Sequence, residues 1–238
     1  MLHTVTKDNS ILQLNSHGAR IEKLVLNNVD ILGTFVREDG KTESTHPCTL
    51  QHNYDRDGKN KHGKGRDSEW NIIETPIKLR AQCVLDTVHI SQEFIVSHNT
   101  CTFITTHKNM GDDVPTNFAE HNYFATPLGN REVTFNNEFI VKHLESERVD
   151  SPFDYIMRDL HEKNTIIIPG IKKNIIIELS QPSTLPFKFA AIWVMGKDNK
   201  YICIEPVVGD AQKDFIHSDA AILPSGKSQV TEFTLRLL

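Results

Sequence analysis

The sequence predicts an all-β protein folded as a large antiparallel β-sandwich. Apolar and polar residues alternate over many short stretches, and turn signals rich in Gly, Pro and Asn separate those stretches. No internal repeat, heptad pattern or low-complexity linker divides the chain. Because all-β folds of this length commonly form one domain, we predict a single domain over residues 1–238.

The first predicted strands lie near the amino terminus. Residues 9–15 and 19–26 alternate in polarity on either side of a turn at Gly18. Further along, residues 88–96 and 101–108 are two alternating stretches separated by the polar residues 97–100, a pattern typical of a β-hairpin. Both pairs favour antiparallel pairing of strands that are neighbours in the chain.

The second half of the chain adds another pair of strands and a terminal strand. Residues 164–168 and 174–179 flank Pro169-Gly170, which is a strong turn signal. In the terminal strand, Phe233, Leu235 and Leu237 share one face and alternate with polar residues. Only residues 152–161 suggest a helical turn.

Composition limits the classes of function. The formal net charge of −5 and the absence of a block of Lys or Arg argue against binding to nucleic acid or to an anionic membrane surface. The first residues contain no apolar signal-peptide core, and no apolar run approaches membrane-spanning length. Four scattered cysteines without Cys-x-x-Cys or zinc-ligand spacing indicate reduced thiols. We therefore predict a cytoplasmic protein without a metal site.

One apolar stretch ends in a carboxylate that is followed by a proline. Residues 201–204 are β-formers and predict a buried strand, and Pro206 cannot donate the next ladder hydrogen bond, so we expect the strand to end there. Glu205 would then lie at the rim of a sheet. His121 stands upstream in similar apolar surroundings. Together they are the groups that paired acid and base chemistry needs, although each alone also fits a structural residue with satisfied partners.

The segment from residue 42 to residue 66 breaks the β pattern. It is polar and rich in Gly, Lys, Asp and His, and long irregular segments of this kind are either functional loops or solvated ones. Glycines beside His62 and Arg66 would let the backbone approach a ligand closely. Several lysines lie nearby, but the spacing lacks a phosphate-binding Gly-x-x-x-x-Gly-Lys-Ser/Thr motif, which argues against a nucleotide loop.

A series of short motifs, in order along nearly the whole chain, resembles the galactose mutarotase-like proteins, which include aldose 1-epimerases and hexose-6-phosphate 1-epimerases. The motifs are residues 16–24 with 30–32, His46-Pro-Cys-Thr-Leu50, His62-Gly-Lys-Gly-Arg66 with Trp70, Asn109-Met-Gly111 through Pro115, Glu120-His-Asn-Tyr-Phe124, Phe153-Asp-Tyr155, Ile202-Cys-Ile-Glu-Pro206 and Leu223-Pro-Ser-Gly226. Each motif is weak alone, but their common order is specific. Two departures are Asn122, where the family usually has proline, and Ala119, where it often has glycine.

The resemblance implies the family's large β-sandwich and an isomerase that interconverts the anomers of a hexose. It implies Glu205 as the general base and His121 as the general acid, with His62 and Asp154 as contacts of the sugar and Arg66 as a candidate binding residue. No metal or organic cofactor is implied. The implied partner is a small-molecule sugar, and we predict a monomer or weak homodimer.

Two alternatives stay open beside a free-sugar epimerase. A hexose-6-phosphate epimerase would use Arg66 and nearby lysines for the phosphate, and a binding module on the same fold would have lost turnover. The presence of both His121 and Glu205 favours an enzyme, because a module that merely binds sugar needs no acid and base. Four aromatic residues are candidates for the floor of a sugar site or for the core, namely Trp70, Tyr123, Phe124 and Trp193.

Overall fold

Two nine-stranded antiparallel sheets form the structure, which is a computed structural model. It describes residues 1–32, 34–36, 40, 42–49, 63–126, 133–135, 138–139, 153–157, 165–179, 187, 189–194, 201–208 and 221–238. The strands of the first half are β1 (Leu2–Lys7), β2 (Ser10–Asn15), β3 (Arg20–Leu26), β4 (Val29–Leu32), β5 (Phe35–Val36), β6 (Thr42–Glu43), β7 (His46–Thr49), β8 (Asn71–Thr75), β9 (Lys78–Leu85), β10 (Val88–Val96) and β11 (Thr100–Asn109). Those of the second half are β12 (Val114–Thr116), β13 (Phe118–Ala125), β14 (Thr134–Phe135), β15 (Glu138–Phe139), β16 (Phe153–Met157), β17 (Thr165–Ile168), β18 (Ile175–Leu179), β19 (Phe189–Val194), β20 (Tyr201–Val207), β21 (Ala221–Leu223) and β22 (Ser228–Leu237).

The first sheet has the strand order β1-β2-β3-β4-β13-β20-β19-β16, and β7 also pairs with β13. The second sheet has the order β15-β14-β17-β18-β22-β11-β10-β9-β8. Two short ribbons, β12-β21 and β5-β6, complete the pairings. The predicted all-β antiparallel sandwich is therefore confirmed. Within the part of the chain that is described, no helix has both the length and the apolar composition needed to cross a membrane.

Alternating burial along the strands creates the core between the sheets. In β2 every second residue is buried, and Leu12 and Leu14 pack in the same apolar cluster as Phe94, Phe103 and Phe233 of the second sheet. The predicted hairpin of β10 and β11 and the predicted pair β17 and β18 are confirmed. The burial of Leu235 and Leu237 beside Phe233 confirms the predicted inner face of the last strand.

Three local predictions were wrong. The segment that suggested a helical turn contains β16, which pairs along its length with β19, so tertiary pairing overrides the weak local period. Residues 46–49, expected within an irregular loop, form β7. Strand β20 does not end at Pro206 but continues to Val207, and Pro206 stands opposite Ala190 in the register.

Strand β13 lies in the interior of the first sheet and is buried from Phe118 to Phe124. It pairs with β20 along one edge and with β7 and β4 along the other. Because side chains alternate along a strand, successive residues of β13 serve two different environments. Phe118 and Phe124 belong to the core between the sheets, whereas Tyr123 belongs to a separate cluster on the opposite face.

The core face of β13 also carries polar groups. The Nε2 atom of Gln92 in β10 donates a hydrogen bond of 2.6 Å to Oε2 of Glu120, which joins the two sheets through the interior. Burial raises the pKa of Glu120 to about 8, although the hydrogen bond from Gln92 acts in the opposite direction. His107 of β11 is buried edge-on against Phe118, and burial lowers its pKa to about 4. Glu120 and His107 are therefore both held neutral in the folded interior near pH 6.

Candidate active site

Three adjacent strands bring the candidate catalytic side chains onto one face of the first sheet. The register pairs His121 of β13 with His46 of β7, and it pairs Tyr123 with Cys203 of β20. Ile202 and Ile204 of β20 are buried in the core between the sheets. The alternation of a strand therefore places Cys203 and Glu205 on the opposite face, together with His121.

His121, Glu205 and Cys203 are in mutual contact. The Nε2 atom of His121 lies 3.1 Å from Oε1 of Glu205. The Sγ atom of Cys203 lies 3.1 Å from Nδ1 and 3.7 Å from Nε2 of His121, and 3.6 Å from Oε1 of Glu205. His121 is buried, and Glu205 retains partial exposure with 17% of its side chain accessible. The acid and base candidates are thus neighbours at a surface that solvent reaches from the side of Glu205.

A second histidine supports the ring of His121. The rings of His46 and His121 are stacked with centroids 4.8 Å apart and an angle of 12° between their planes. Nδ1 of His46 donates to the carbonyl oxygen of Ser44 at 2.8 Å, since that oxygen can only accept. Burial and, to a smaller extent, the nearby Arg66 guanidinium together lower the pKa of His46 to about 3. His46 is therefore a neutral ring against which a protonated His121 can lie without charge repulsion.

Aromatic side chains form one wall of the site. The ring of Tyr123 lies 4.6 Å from that of His121, and Phe35 stacks on Tyr201 at 3.9 Å. Burial raises the pKa of the Tyr123 phenol far above its ordinary value, and the neighbouring Cys203, Glu43 and Glu205 act in the same direction. Tyr123 therefore stays neutral. Of the four aromatic floor candidates, Trp70 and Phe124 lie in the core, and the side chain of Trp193 is outside the described part of the structure.

Arg66 borders the site on the side of His46. It belongs to a short 3-10 turn, Gly65–Asp67, and its Nη2 lies 3.9 Å from Oε2 of Glu43. Trp70 holds this turn in place, because its Nε1 donates a hydrogen bond of 2.9 Å to the carbonyl oxygen of Gly65. Gly18, with φ of +75°, lies so close that an added Cβ would stand 2.2 Å from the carbonyl oxygen of Arg66.

The glycines of this segment serve the packing of the backbone. A Cβ added at Gly63 would meet the carbonyl oxygen of Thr49 at 1.8 Å, and one added at Gly65 would meet Oγ1 of Thr49 at 2.1 Å. The sequence suggested instead that these glycines admit a ligand. In the structure the absence of side chains at Gly63 and Gly65 lets their backbone pack directly against Thr49 at the end of β7, the strand that carries His46. The turn that contains Arg66 is thereby held next to this strand.

Two of the predicted sugar contacts are described incompletely or not at all. His62 lies outside the described residues. Asp154 is described in its backbone alone: it pairs with Trp193 of β19, and Trp193 pairs with Cys203 of β20. The structure thus brings Glu205, His121 and Arg66 to one region and places the backbone of Asp154 two strands away from Cys203.

Sequence reasoning missed Cys203 and His46. Cys203 stands two positions before Glu205 in the same strand, so the period of two was enough to place both on one face. His46 had no such signal, because its strand contains Pro47 and its neighbour His121 is distant in sequence. His121, Cys203 and Glu205 also offer one ligand atom each within 4.8 Å of one another, which is a set that could hold a metal ion.

Comparison with known proteins places the fold. No family model matches the sequence, and no curated protein does. A galactose mutarotase-related enzyme from Lactobacillus acidophilus superposes with a TM-score of 0.74 at 15% identity, covering 100% of this chain and 97% of that chain. A galactose mutarotase-like protein from Lactobacillus casei gives 0.76 at 13% identity and 100% of both chains.

A galactose 1-epimerase from Lactobacillus acidophilus is also similar, with a TM-score of 0.65 at 9% identity over 98% of this chain and 92% of that chain. At these identities the likeness concerns the architecture of the chain and not its chemistry. It agrees with the order of motifs in the sequence and with the two antiparallel sheets described above. This chain has the galactose mutarotase-like β-sandwich fold.

Proposed function

We propose that this protein is an aldose 1-epimerase that interconverts the α and β anomers of a free hexose. The observation that carries the proposal is the contact of 3.1 Å between Nε2 of His121 and Oε1 of Glu205. A cyclic hexose bears its ring oxygen and its anomeric hydroxyl on the same carbon, C1. An acid and a base that lie side by side are therefore suited to address both oxygens at once.

In the proposed reaction Glu205 takes the proton of the C1 hydroxyl while His121 gives a proton to the ring oxygen. The bond between C1 and the ring oxygen breaks, and the C1–C2 bond of the open-chain aldehyde rotates. When the ring closes from the other face, the former ring oxygen attacks the aldehyde carbon and gives its proton back to His121, while protonated Glu205 gives its proton to the C1 oxygen. No proton is gained or lost over the cycle, so neither an oxidant nor a cofactor is needed.

The surroundings support these roles. The neutral ring of His46 stacks on His121, so it holds the ring in place without opposing a positive charge there. The buried ring of Tyr123 packs against His121 at 4.6 Å and lies 6.4 Å from the ring of His46, so it limits the access of water to the imidazole. His62, Asp154 and Arg66 are proposed as residues that bind and orient the sugar. A cytoplasmic location, a single domain and a monomeric or weakly dimeric state remain predictions.

The surroundings of Arg66 favour a free sugar over a 6-phosphate. Its guanidinium has carboxylate oxygens of Glu43 and Asp67 at 3.9 and 3.8 Å, which already balance its charge. The neighbouring Lys64 pairs with Asp86 at 2.8 Å and is directed away to that partner. A phosphate group would have to compete with these carboxylates, so the basic residues described in this segment do not form a ready phosphate site.

Polarimetry tests the proposal directly. Freshly dissolved α-D-glucose, α-D-galactose and their 6-phosphates are followed to equilibrium with and without purified protein. Acceleration with the free sugars is expected. A rate with the 6-phosphates far above that with the free sugars, lost in Arg66→Ala, would assign a hexose-6-phosphate epimerase instead. Saturable sugar binding without acceleration of any anomer would assign a non-catalytic binding module.

A further inference from the structure

The ladder between β13 and β20 is interrupted at the position of the acid and the base. Regular pairing reaches Asn122 and Ile204 and resumes after an interval of two residues. In this register Pro206 stands opposite Glu120. Because proline has no N–H, it cannot donate a hydrogen bond to the strand beside it.

Main-chain hydrogen bonds on either side show which carbonyl group of β13 loses a donor. In an antiparallel ladder the N–H and C=O of one residue point to the same neighbouring strand, and successive residues alternate between the two neighbours. The N–H of Tyr123 donates to Oγ1 of Thr45, next to β7, at 3.0 Å. The carbonyl oxygen of Phe118 accepts a bond of 2.9 Å from the residue that follows β20. The even-numbered residues of β13 therefore face β20, and the carbonyl oxygen of Glu120 points at the nitrogen of Pro206.

The side-chain amide of Asn122 supplies the missing donor. Its Nδ2 donates to the carbonyl oxygen of Glu120 at 3.1 Å and, over a longer contact of 3.4 Å, to that of Ile204. Main-chain carbonyls can only accept, so these contacts fix the orientation of the amide. Asn122 is buried, and its Oδ1 has no hydrogen-bond partner among the described residues. An amide with an unsatisfied oxygen is costly in a core, so its two carbonyl contacts, and not its packing, explain an asparagine here.

The two acceptors belong to the peptide groups that carry the acid and the base. The carbonyl group of Glu120 shares one peptide plane with the nitrogen of His121, and the carbonyl group of Ile204 shares another with the nitrogen of Glu205. One side chain thus joins both planes from the core side of the sheet. On the opposite side, the reactive atoms of His121 and Glu205 lie 3.1 Å apart.

We propose that Asn122 is a positioning residue for the reaction, which holds β13 and β20 at the spacing that His121 and Glu205 require. It replaces the N–H that Pro206 cannot supply. Its side chain lies on the core face of β13, so it acts through the backbone and not on the sugar. The kinetic part of this proposal rests on the proposed epimerase function, whereas replacement of the proline N–H is testable without turnover.

A double-mutant cycle with Pro206 tests the kinetic part. Asn122→Leu removes the donor but keeps a side chain of similar size, and it should lower kcat about 10- to 100-fold with KM changed less than about threefold, as misplaced reacting groups do. Pro206→Ala restores a main-chain N–H opposite Glu120, and alone it should keep kcat within about threefold of the parent. In the double variant the restored N–H should bring kcat back to within about fivefold of Pro206→Ala.

Urea unfolding of the same four proteins needs no turnover. Asn122→Leu should lower the equilibrium constant of folding about 10-fold or more, because a buried carbonyl loses its donor. This loss should be at least about fivefold smaller when Pro206→Ala is present. Asn109→Leu is the matched control, since Nδ2 of Asn109 also donates to two main-chain carbonyls, those of Asp112 and Leu223. It should lower stability equally in both backgrounds and keep the parent kcat.

Three results would overturn the proposal: a folded Asn122→Leu variant with the parent kcat, a loss of kcat that Pro206→Ala does not relieve, or an equal loss of stability in both backgrounds. If Asn122→Leu folds only together with Pro206→Ala, that rescue supports the proposal. If it folds in neither background, Asn122→Ala takes its place in the same cycle. If the parent turns over no sugar, the proposed function fails, and the unfolding cycle alone decides whether Asn122 replaces the proline N–H.

Discussion

Glu205 and His121 lie on adjacent antiparallel strands, and their reactive atoms are separated by 3.1 Å although 83 residues separate them in the chain. Pairing of β13 with β20 positions both side chains on one face without help from a loop. The arrangement is therefore as rigid as the sheet that carries it.

Glu205→Gln should lower the turnover of the sugar by about 10²- to 10⁴-fold, the usual effect of losing a general base, because the amide cannot accept the C1 proton. Progress curves by polarimetry and circular dichroism of the folded protein are the two measurements. Glu93→Gln is a matched control, since 21% of its side chain is exposed against 17% for Glu205. A Glu205→Gln variant within about tenfold of the parent rate would make Glu205 structural.

His121→Ala should be comparably damaging, because the ring oxygen loses its proton donor. The parent rate should fall on both sides of neutrality, in acid as Glu205 gains a proton and in base as protonated His121 loses one. His89→Ala on an exposed position of β10 is the control and should keep the parent profile. A rate that rises steadily with pH, with no fall in base, would contradict His121 as the acid.

His46 should act as a positioning residue through its stack on His121. Removing the ring in His46→Ala should lower kcat by about 3- to 10-fold with little change in KM, since aromatic pairs contribute about 0.5–1.5 kcal/mol. His46→Phe keeps a ring to stack but loses the hydrogen bond to Ser44, and it should recover most of the rate. Equal damage from both variants would assign the effect to the hydrogen bond instead of the stack.

Glu120 should make the folded state less stable as the pH rises. Its pKa is about 8 in the folded state against 4.5 for the unfolded chain, so folding binds a proton between these values and stability is lost as pH rises through them. Relative to the parent, Glu120→Gln should gain on the order of 3 kcal/mol in the free energy of unfolding between about pH 5 and pH 8. Urea unfolding across this range measures the difference, and a constant difference would show that Glu120 ionises freely in the fold.

His107 has the opposite effect and should make the folded state less stable as the pH falls. Its pKa is about 4 in the folded state against 6.5 in the unfolded chain, so its contribution is present above pH 6.5 and is lost as the pH falls toward 4. The two opposing slopes cancel at about pH 5.5, so the stability of the parent is expected to be greatest there and to fall above about pH 6. Glu120→Gln should shift that maximum upward, because the loss on the basic side is removed.

The fold could be predicted from the sequence because several of the strands that form it are long and regular. Strands β10 and β11, and β22 from Thr231 onward, show a strict alternation of buried residues, and this pattern alone predicts a half-buried sheet. The short strands β7 and β16 could not be predicted from the sequence, because their conformation depends on pairing with strands far away in the chain. Strand β7 also contains Pro47, which is tolerated where a strand is paired on one side.

The site was predicted in part for the same reason. Glu205 and His121 could be named as candidates from the sequence, because a charged and an ionisable side chain within apolar stretches need a special explanation. Cys203 and His46 were overlooked, because a thiol or a histidine in a β-like segment is ordinarily a core residue. Their role depends on the pairing of three strands, which no local pattern reveals.

Strand β13 has consequences for how the chain must assemble. Glu120 and His121 are neighbours on opposite faces, so a shift of one residue in strand register would move the carboxyl into the site and the imidazole into the core. Pro206 lies between the pairs Asn122–Ile204 and Ala119–Val207, where it has no N–H to offer β13. A slipped alignment would place an unmatched carbonyl opposite the proline and two ionisable groups in the wrong surroundings. The residues that form the site thus also penalise the misfolded sheets that would destroy it.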